Sequence, residues 1–502
     1  MTIYNINFGI SWASSGVEYA QSYRAKLLRG LNYPLKFVFL DFINAENIQT
    51  LTENIGFKDD EVIWLYQYFT DIPIAPTSYT VEKIKSDVHE PIIREETDGK
   101  VHRLFLNEQQ TFITCYLKEV GTHIVDRAEF VIDGKLVRKD FYSYVRIFSE
   151  YYAPHNNTAK LYMRTFYNED GSVAYSEYID GETNLYSFKD KKLYSRQAFI
   201  AYFMEQLNLT SEDIVILDRA SEVGQALLQH KGKSKMGVVV HAEHFSVHAT
   251  DDAHVLWNNY YEYQFMNSRE IDFYITATDL QNQILSAQFQ KYHHVSPKVY
   301  TIPVGSIHEL KRPQHARRPY AMISASRLAN EKHIDWLVRA AIIAKKEVPE
   351  LQFDIYGEGA VKGTLETLIQ THHAQDYIHL KGHVHLEEVY QNYQLFVSAS
   401  TSEGFGLTLL EAVGSGLGMI GFDVNYGNPT FIRDGINGYL IPVNAKEEAS
   451  EDIVKRYAER IVQYFNDGPT APHEASYKVA QPFLTPEIQQ KWKKLIEEVA
   501  HD

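Results

Sequence analysis

The stretch ASRLANEKHIDWLV sets Arg327 and Lys332 five positions apart, directly after PYAMISAS, a short apolar run that ends as a strand near Ser324. Two cations at a strand's carboxyl end, beside the start of the next helix, suit a diphosphate. Open α/β sheets take ligands at that edge, and a guanidinium matches paired phosphate oxygens. Taken alone, the pair reads more readily as solvated surface charge. The overall charge bears on the choice: 49 Lys and Arg stand against 65 Asp and Glu, a formal net of −16. That balance opposes non-specific nucleic-acid binding, so an anionic ligand has to meet a local basic cluster.

A second stretch, STSEGFGLTLLEAVGSGLGMIGFD, places seven residues between Glu403 and Glu411. Gly404 and Gly406 flank Phe405 and let backbone approach a ligand, and helix is expected from about Leu407. If all eight steps were helical, the carboxylates would be about 12 Å apart in rise, a scale suited to reaching both the sugar and the ribose of a nucleotide sugar. For either glutamate alone, a buried structural role is the alternative. In GVVVHAEHFS, His241 directly follows a four-residue apolar strand, and His244 lies three residues on. H-x-x-H suggests a metal, but H-E-x-x-H and the cysteine pair of zinc deaminases are absent, so no metal site is expected. A capping or core histidine is the plainer reading.

At the N-terminus, MTIYNINFGISWASSGVEYAQSYRAKLL runs from a strand (Ile3, Ile6, Phe8) through a small-residue loop with Gly9, Ser11, Ser14, Ser15 and Gly16. A helix with an apolar face of Val17, Tyr19, Ala20, Tyr23, Leu27 and Leu28 follows. Such a loop can offer amides to an anion. Its spacing is not G-x-G-x-x-G, and an ordinary strand-to-helix turn fits as well.

The elements that position these residues fall into three textures. At 502 residues the chain has room for roughly three domains. Residues 1–75 are α/β, with LKFVFLDF as a strand and IGFKDDEVIWLYQYF as a helix. Residues 76–190 are rich in Tyr, Phe and β-branched residues. Turns at Asp133 and Gly134, at Glu169, Asp170 and Gly171, and at Asp180 and Gly181 punctuate them, which predicts an antiparallel meander. Residues 191–305 return to α/β, with SRQAFIAYFMEQLNL as a helix and DIVILD, GVVVHAE and KVYTIPVGS as strands. Residues 306–484 carry PYAMISAS, QFDIYGEG, YIHLKGHV, LFVSAS and GMIGFD with helices between, the pattern of a doubly wound parallel sheet. Residues 485–502 form a terminal helix. No run approaches the roughly 18 apolar residues of a membrane span, and the first residues lack a basic-then-apolar signal, so a cytoplasmic protein is expected. The single cysteine, Cys115, excludes an internal disulfide and a multi-cysteine zinc site. It reads as a buried small hydrophobe in a strand.

Together, Arg327 with Lys332 and the E-x7-E element of Glu403 and Glu411 resemble retaining GT-B glycosyltransferases of family 4. WASSGVEYAQ, VVHAEH, ASRLANEKHIDWLV and SEGFGLTLLEAVGSGLG are similar, over essentially the whole chain, to a narrower group. These are the glycosyltransferase A subunits that begin O-glycosylation of serine-rich repeat adhesins. The resemblance implies two Rossmann-like domains facing a cleft, with residues 76–190 as an inserted β-sheet domain and a last helix bracing the N-terminal domain. The Tyr- and Phe-rich strands of 76–190, whose edges can pair with other chains, point to recruitment of partner and acceptor. It implies retaining transfer from a UDP-sugar, N-acetylglucosamine or glucose, to Ser or Thr hydroxyls, without a metal cofactor. By resemblance, Arg327 and Lys332 stabilise the departing diphosphate, assisted by Gly404, Phe405, Gly406 and the helix start at Leu407. Glu403 holds sugar hydroxyls, Glu411 the ribose, and His241 the sugar near the reacting carbon. Gly16 lets backbone approach the donor. Ser11 and Ser15 depart from the glycines expected in that loop. A companion subunit of GT-B type, a serine-rich repeat acceptor and peripheral association with the cytoplasmic face of the membrane are implied as well. A non-catalytic GT-B partner and a carbohydrate-binding protein are the other classes; the second would not need the diphosphate cations.

Overall fold

The computed structural model describes all residues except 13–15, 108–109, 157, 220–222 and 502, so Ser14 and Ser15 of the N-terminal loop lie outside the described residues. The chain divides into two compact units: Met1–Val238 with Asn259–Asp272, and Val239–Asn258 with Phe273–Asp502.

The first unit opens on a parallel sheet. Ile3–Asn7 lies between Ile214–Leu217 and Leu35–Phe39, with Ile3 opposite both Ile214 and Leu35. Lys235–Val240 pairs with Ile214–Leu217, and Val62–Trp64 with Leu35–Phe39. That last strand corrects an expectation. Residues 55–69 are not a helix; a short 3-10 turn, Asp59–Glu61, leads into Val62–Trp64. Val62 and Trp64 are buried, and the aromatic spacing that mimics a helix instead serves packing against the neighbouring sheet. The helix Gly16–Arg29 follows the first strand as expected, but its buried face includes Glu18, Gln21 and Arg24, while Tyr19 is exposed. Arg24 grips Asp218 with both terminal nitrogens at 2.9 and 2.7 Å and also donates to Asn5 Oδ1, and Gln21 donates to Asp218.

The ten-stranded sheet of this unit is the predicted meander. From Arg94–Asp98 to Lys192–Leu193, each strand pairs antiparallel with the next. Asp133 and Gly134 both take positive φ, 48° and 72°, the geometry of a tight hairpin turn. Phe141, Phe148, Phe166, Tyr175 and Phe188, on successive strands and the loop after them, stack at 4.3, 5.5, 4.5 and 4.8 Å between centroids. Such cross-strand rings each add up to about 1 kcal/mol beyond area burial. Phe42 and Tyr66 from the parallel-sheet part pack on this ladder at 5.3 and 5.8 Å, and Tyr175 donates to the Tyr66 carbonyl. The two sheets therefore share one aromatic core. The outer strand Arg94–Asp98, REETD, is exposed throughout. Cys115 is buried, and burial pushes its thiol up to about 12, as expected of a small hydrophobe.

The second unit is built on a six-stranded parallel sheet in the order Ile378–Gly382, Gln352–Tyr356, Ala321–Ala325, Leu395–Ser398, Gly418–Phe422, Gly438–Ile441. Five of these strands were predicted; Gly438–Ile441 was not. Met322, Phe353, Leu395 and Val397 face one apolar cluster with helices Ile334–Ala344 and Ser450–Asp467. Ala321, Ile323, Phe396 and Met419 face another with Leu407–Gly414. Alternate residues therefore serve opposite faces, and each fully buried large side chain contributes roughly 1.5–3 kcal/mol. Phe273–Thr276 and Val299–Thr301 form a further parallel pair. The terminal helix Thr485–His501 reaches this pair, with Tyr300 donating to Glu498 and Lys491 to the Thr301 carbonyl.

Candidate active site

The winding of the second sheet decides where its site sits. Ala321–Ala325 and Leu395–Ser398 are neighbours, with Met322 opposite Leu395. From the first, the chain builds outward to one edge; from the second, to the other. Loops leaving such a switch point diverge and open a crevice at the carboxyl ends. The loop after Ala325 carries Arg327 and Lys332, and the loop after Ser398 carries Glu403.

Arg327 is 80% exposed and meets Glu331 at 3.2 Å, a surface pair worth about 0–1 kcal/mol that leaves the guanidinium available to a ligand. Its loop is fixed by backbone: Ser326 donates to the Tyr356 carbonyl, Leu328 to Glu358, and Val361 back to Leu328. Lys332 ends a 3-10 turn, and His333, at φ 45°, stacks its ring on Trp336 at 3.9 Å to start the helix. Lys332 Nζ donates to Glu403 Oε2 at 2.7 Å, with the two side chains 18% and 21% exposed. The residues expected on diphosphate and sugar thus already touch.

Glu403 is held through its main chain. Its carbonyl accepts from the amides of Tyr426 and Gly427 at 2.7 and 2.8 Å. Gly404 passes so close to the His241 segment that a Cβ would sit 3.0 Å from the His241 carbonyl oxygen, so a side chain there would crowd it. Gly406, at φ 86°, caps Leu407–Gly414, and that left-handed turn favours glycine. Phe405 is buried against Phe431 and Phe483, so its side chain anchors the loop and only its backbone can face a ligand. Leu407 packs over Gly305. Glu411 lies one turn into the helix, accepts from the Tyr390 hydroxyl at 3.1 Å, and has its carboxyl pushed up by burial. Because helix covers only the second half of the interval, the all-helical 12 Å spacing does not apply between Glu403 and Glu411.

His241 directly follows Lys235–Val240, as expected. His244 is a core histidine, fully buried, and burial lowers it to about 4. Gly16, in the first unit, begins its helix, and among the described residues nothing beyond its own chain neighbours lies within 4 Å of where a side chain would start. Among the described residues no cluster of three or more His, Cys, Asp or Glu is placed to hold a metal, and no helix is long and apolar enough to cross a membrane. Sequence reasoning missed Tyr426 and Gly427, which hold Glu403, and Tyr390, which meets Glu411. The run VNYGNP immediately after GMIGFD was the available signal, since turn residues there fall at the sheet's carboxyl edge.

Comparison with known proteins places this geometry. The GtfA extended beta-sheet domain family matches residues 94–190, and the family of glycosyl transferases group 1 matches residues 307–462. A curated relative from Streptococcus pneumoniae, the UDP-N-acetylglucosamine--peptide N-acetylglucosaminyltransferase GtfA subunit, is 53% identical over 504 residues and covers 100% of both chains. The chain belongs to the GtfA family. The GtfA subunit of Streptococcus gordonii is 52% identical, covering 100% of this chain and 99% of its own. The crystal structure of pneumococcal O-GlcNAc transferase GtfA in complex with UDP and GlcNAc superposes with a TM-score of 0.90 at 53% identity, covering 100% of this chain and 99% of that one. A GtfA/B complex structure gives 0.97 at 51%, covering 100% of both. The GT-B fold class and the family read from the sequence motifs are thereby borne out.

Proposed function

We propose that the chain transfers N-acetylglucosamine from UDP-N-acetylglucosamine to serine and threonine hydroxyls of a serine-rich repeat polypeptide, with retention at the anomeric carbon. The observation that supports this most directly is the Lys332–Glu403 pair at the switch point of the second sheet. It lies between a diphosphate-type cation loop and a glycine-rich helix start, in a chain that matches GtfA subunits over its full length. A non-catalytic partner would not need that constellation, and the sugar transferred by the GtfA relatives favours N-acetylglucosamine over glucose.

In this reading the bond from the anomeric carbon to the diphosphate oxygen breaks while the acceptor hydroxyl oxygen bonds the same face. The hydroxyl proton passes to the departing phosphate oxygen. Arg327 and Lys332 stabilise the charge that develops on the diphosphate, with the backbone amides at 404–406 and the start of Leu407–Gly414 assisting. Glu403 orients sugar hydroxyls, His241 contacts the sugar beside the reacting carbon, and Glu411 binds the ribose. Two cations fill the charge role of a metal, so turnover persists in EDTA; full loss restored by Mg²⁺ or Mn²⁺ contradicts this.

The chain works in the cytoplasm, at or near the inner membrane face, with a companion subunit of the GtfB type; the GtfA/B complex of a relative supports that partnership. The ten-stranded sheet recruits companion and acceptor through exposed residues such as Tyr162 and Tyr178. Excising the sheet would strip Phe42 and Tyr66 of their packing, so Tyr162→Ser with Tyr178→Ser is the cleaner probe. The deciding experiment incubates the chain with UDP-N-acetylglucosamine or UDP-glucose and a Ser/Thr-rich polypeptide, with and without the companion, and weighs the product. Mass gain from UDP-N-acetylglucosamine supports the reading; no UDP release with any combination overturns it.

A further inference from the structure

We propose that His244 and Tyr426 form a positioning pair that holds Glu403 against Lys332 and beside the His241 loop. Neither side chain reaches solvent, so neither can touch a substrate. Their effect has to pass through what they hold.

The pair belongs to a continuous set of contacts. His244 Nε2 lies 2.8 Å from Gln288 Oε1, at the end of helix Asp279–Gln288. With a carbonyl-type oxygen facing it, Nε2 carries the proton and donates. Nδ1 is then the acceptor, and the Tyr426 hydroxyl, 3.0 Å away, donates to it. The two rings stack at 5.7 Å with 20° between their planes. Burial keeps the imidazole neutral near pH 7, which preserves that acceptor. The main chain of Tyr426 continues the linkage, because its amide donates to the Glu403 carbonyl at 2.7 Å, and the Glu403 carboxylate accepts from Lys332 at 2.7 Å. At its other end the 241–244 segment meets the glycine-rich loop again, where the His241 carbonyl approaches Gly404.

Two described contacts therefore tie the His241 segment to the Glu403 loop: a steric one at Gly404 and a hydrogen-bonded one at Tyr426. The hydrogen bond fixes distance and direction, which the close approach alone does not. A buried acceptor left without its donor costs enough to shift such a loop, and small misplacements of a positioned group act on the chemical step more than on binding.

The proposal rests on the functional reading given above, in which Glu403 orients the sugar, and its test has one readout that does not. Tyr426→Phe removes only the hydroxyl. It should lower kcat for UDP-N-acetylglucosamine turnover about tenfold, within the range of one orphaned buried hydrogen-bonding group, with the donor KM changed less than about twofold. His244→Asn, whose side-chain oxygen can take the place of Nδ1, should recover most of that loss, whereas His244→Leu should not. Wild-type kcat in Tyr426→Phe, a rise in KM alone, or equal loss in His244→Asn and His244→Leu overturns the pair. The second readout is the nitrogen NMR spectrum of histidine-labelled protein without substrate, with the His244 signals assigned by their loss in His244→Asn. Protonated Nε2 and bare Nδ1, with Nδ1 shifting in Tyr426→Phe, supports the pair. The opposite tautomer, or no shift, overturns it even if the wild type fails to turn over the donor, which would separately overturn the functional reading.

Discussion

Two cation–carboxylate pairs sit beside sheet strands of this molecule, and solvent treats them differently. Arg24 and Asp218 in the first unit are 3% and 0% exposed and join through two parallel bonds, with Asn5 and Gln21 attached. Lys332 and Glu403 in the second unit are 18% and 21% exposed and joined by one described bond. A fork gripping a carboxylate inside a polar network has no spare geometry for a ligand. A lysine on a flexible stem, with donors to spare and water at hand, can turn toward an arriving phosphate without leaving a charge stranded. The first pair is closed to solvent and the second is partly open to it.

The comparison breaks most readily on stability. Arg24→Met leaves the Asp218 carboxylate buried without its main partner and should cost about 3–5 kcal/mol, seen as a lower denaturant midpoint. Lys332→Met should cost no more than about 1 kcal/mol. Equal losses in the two variants would erase the distinction. On turnover the order reverses. Lys332→Ala and Arg327→Ala should each lower kcat about 10²–10³-fold, the scale of removing one preorganised transition-state contact, while the melting temperature of each falls by no more than about 4 °C. Normal kcat in both would remove the diphosphate from the site.

A finer contrast lies within the second unit. Glu403→Gln should lower kcat with a small effect on donor affinity, whereas Glu411→Gln should raise the donor KM about tenfold, the scale of one hydrogen bond to a charged group. Unchanged constants in both would make the carboxylates structural. The smallest effect concerns pH. Burial raises the Glu411 carboxyl, so its folded pKa lies above its unfolded value. Stability from this group is full below the unfolded pKa and is lost as pH rises through the folded one. Glu411→Gln should therefore be slightly more stable than wild type at pH 7, with the difference closing below about pH 4, under the ordinary Glu value. A gap that widens on acidification would contradict the assigned direction.

Much of the second unit was legible because its strands are short apolar runs bounded by small or polar residues, as in PYAMISAS and LFVSAS. The cation loop and the glycine-rich turn follow them directly. Gly438–Ile441 escaped because four residues directly after the turn at Gly435–Asn437 leave little periodicity to read. Val62–Trp64 was mistaken because three residues within an aromatic run match helical spacing by chance. The inward face of Gly16–Arg29 was misjudged for a different reason. Arg24 is buried by Asp218, 194 positions away, and local patterning cannot announce a partner that distant. The link from Glu403 to His244 through Tyr426 is hidden in the same way, since it joins segments 182 residues apart.

The outer strand Arg94–Asp98 places one positive and three negative side chains along the open margin of a ten-stranded sheet. A foreign strand seeking to extend that margin would have to desolvate each of those charges, whatever its own sequence. Backbone pairing is indifferent to side chains and so cannot tell one polypeptide from another. With that indiscriminate route suppressed, any recognition by this sheet would fall to the broad faces, where each contact is set by an individual side chain. Selectivity on such a surface can be altered one residue at a time, without shifting the register of any strand beneath it.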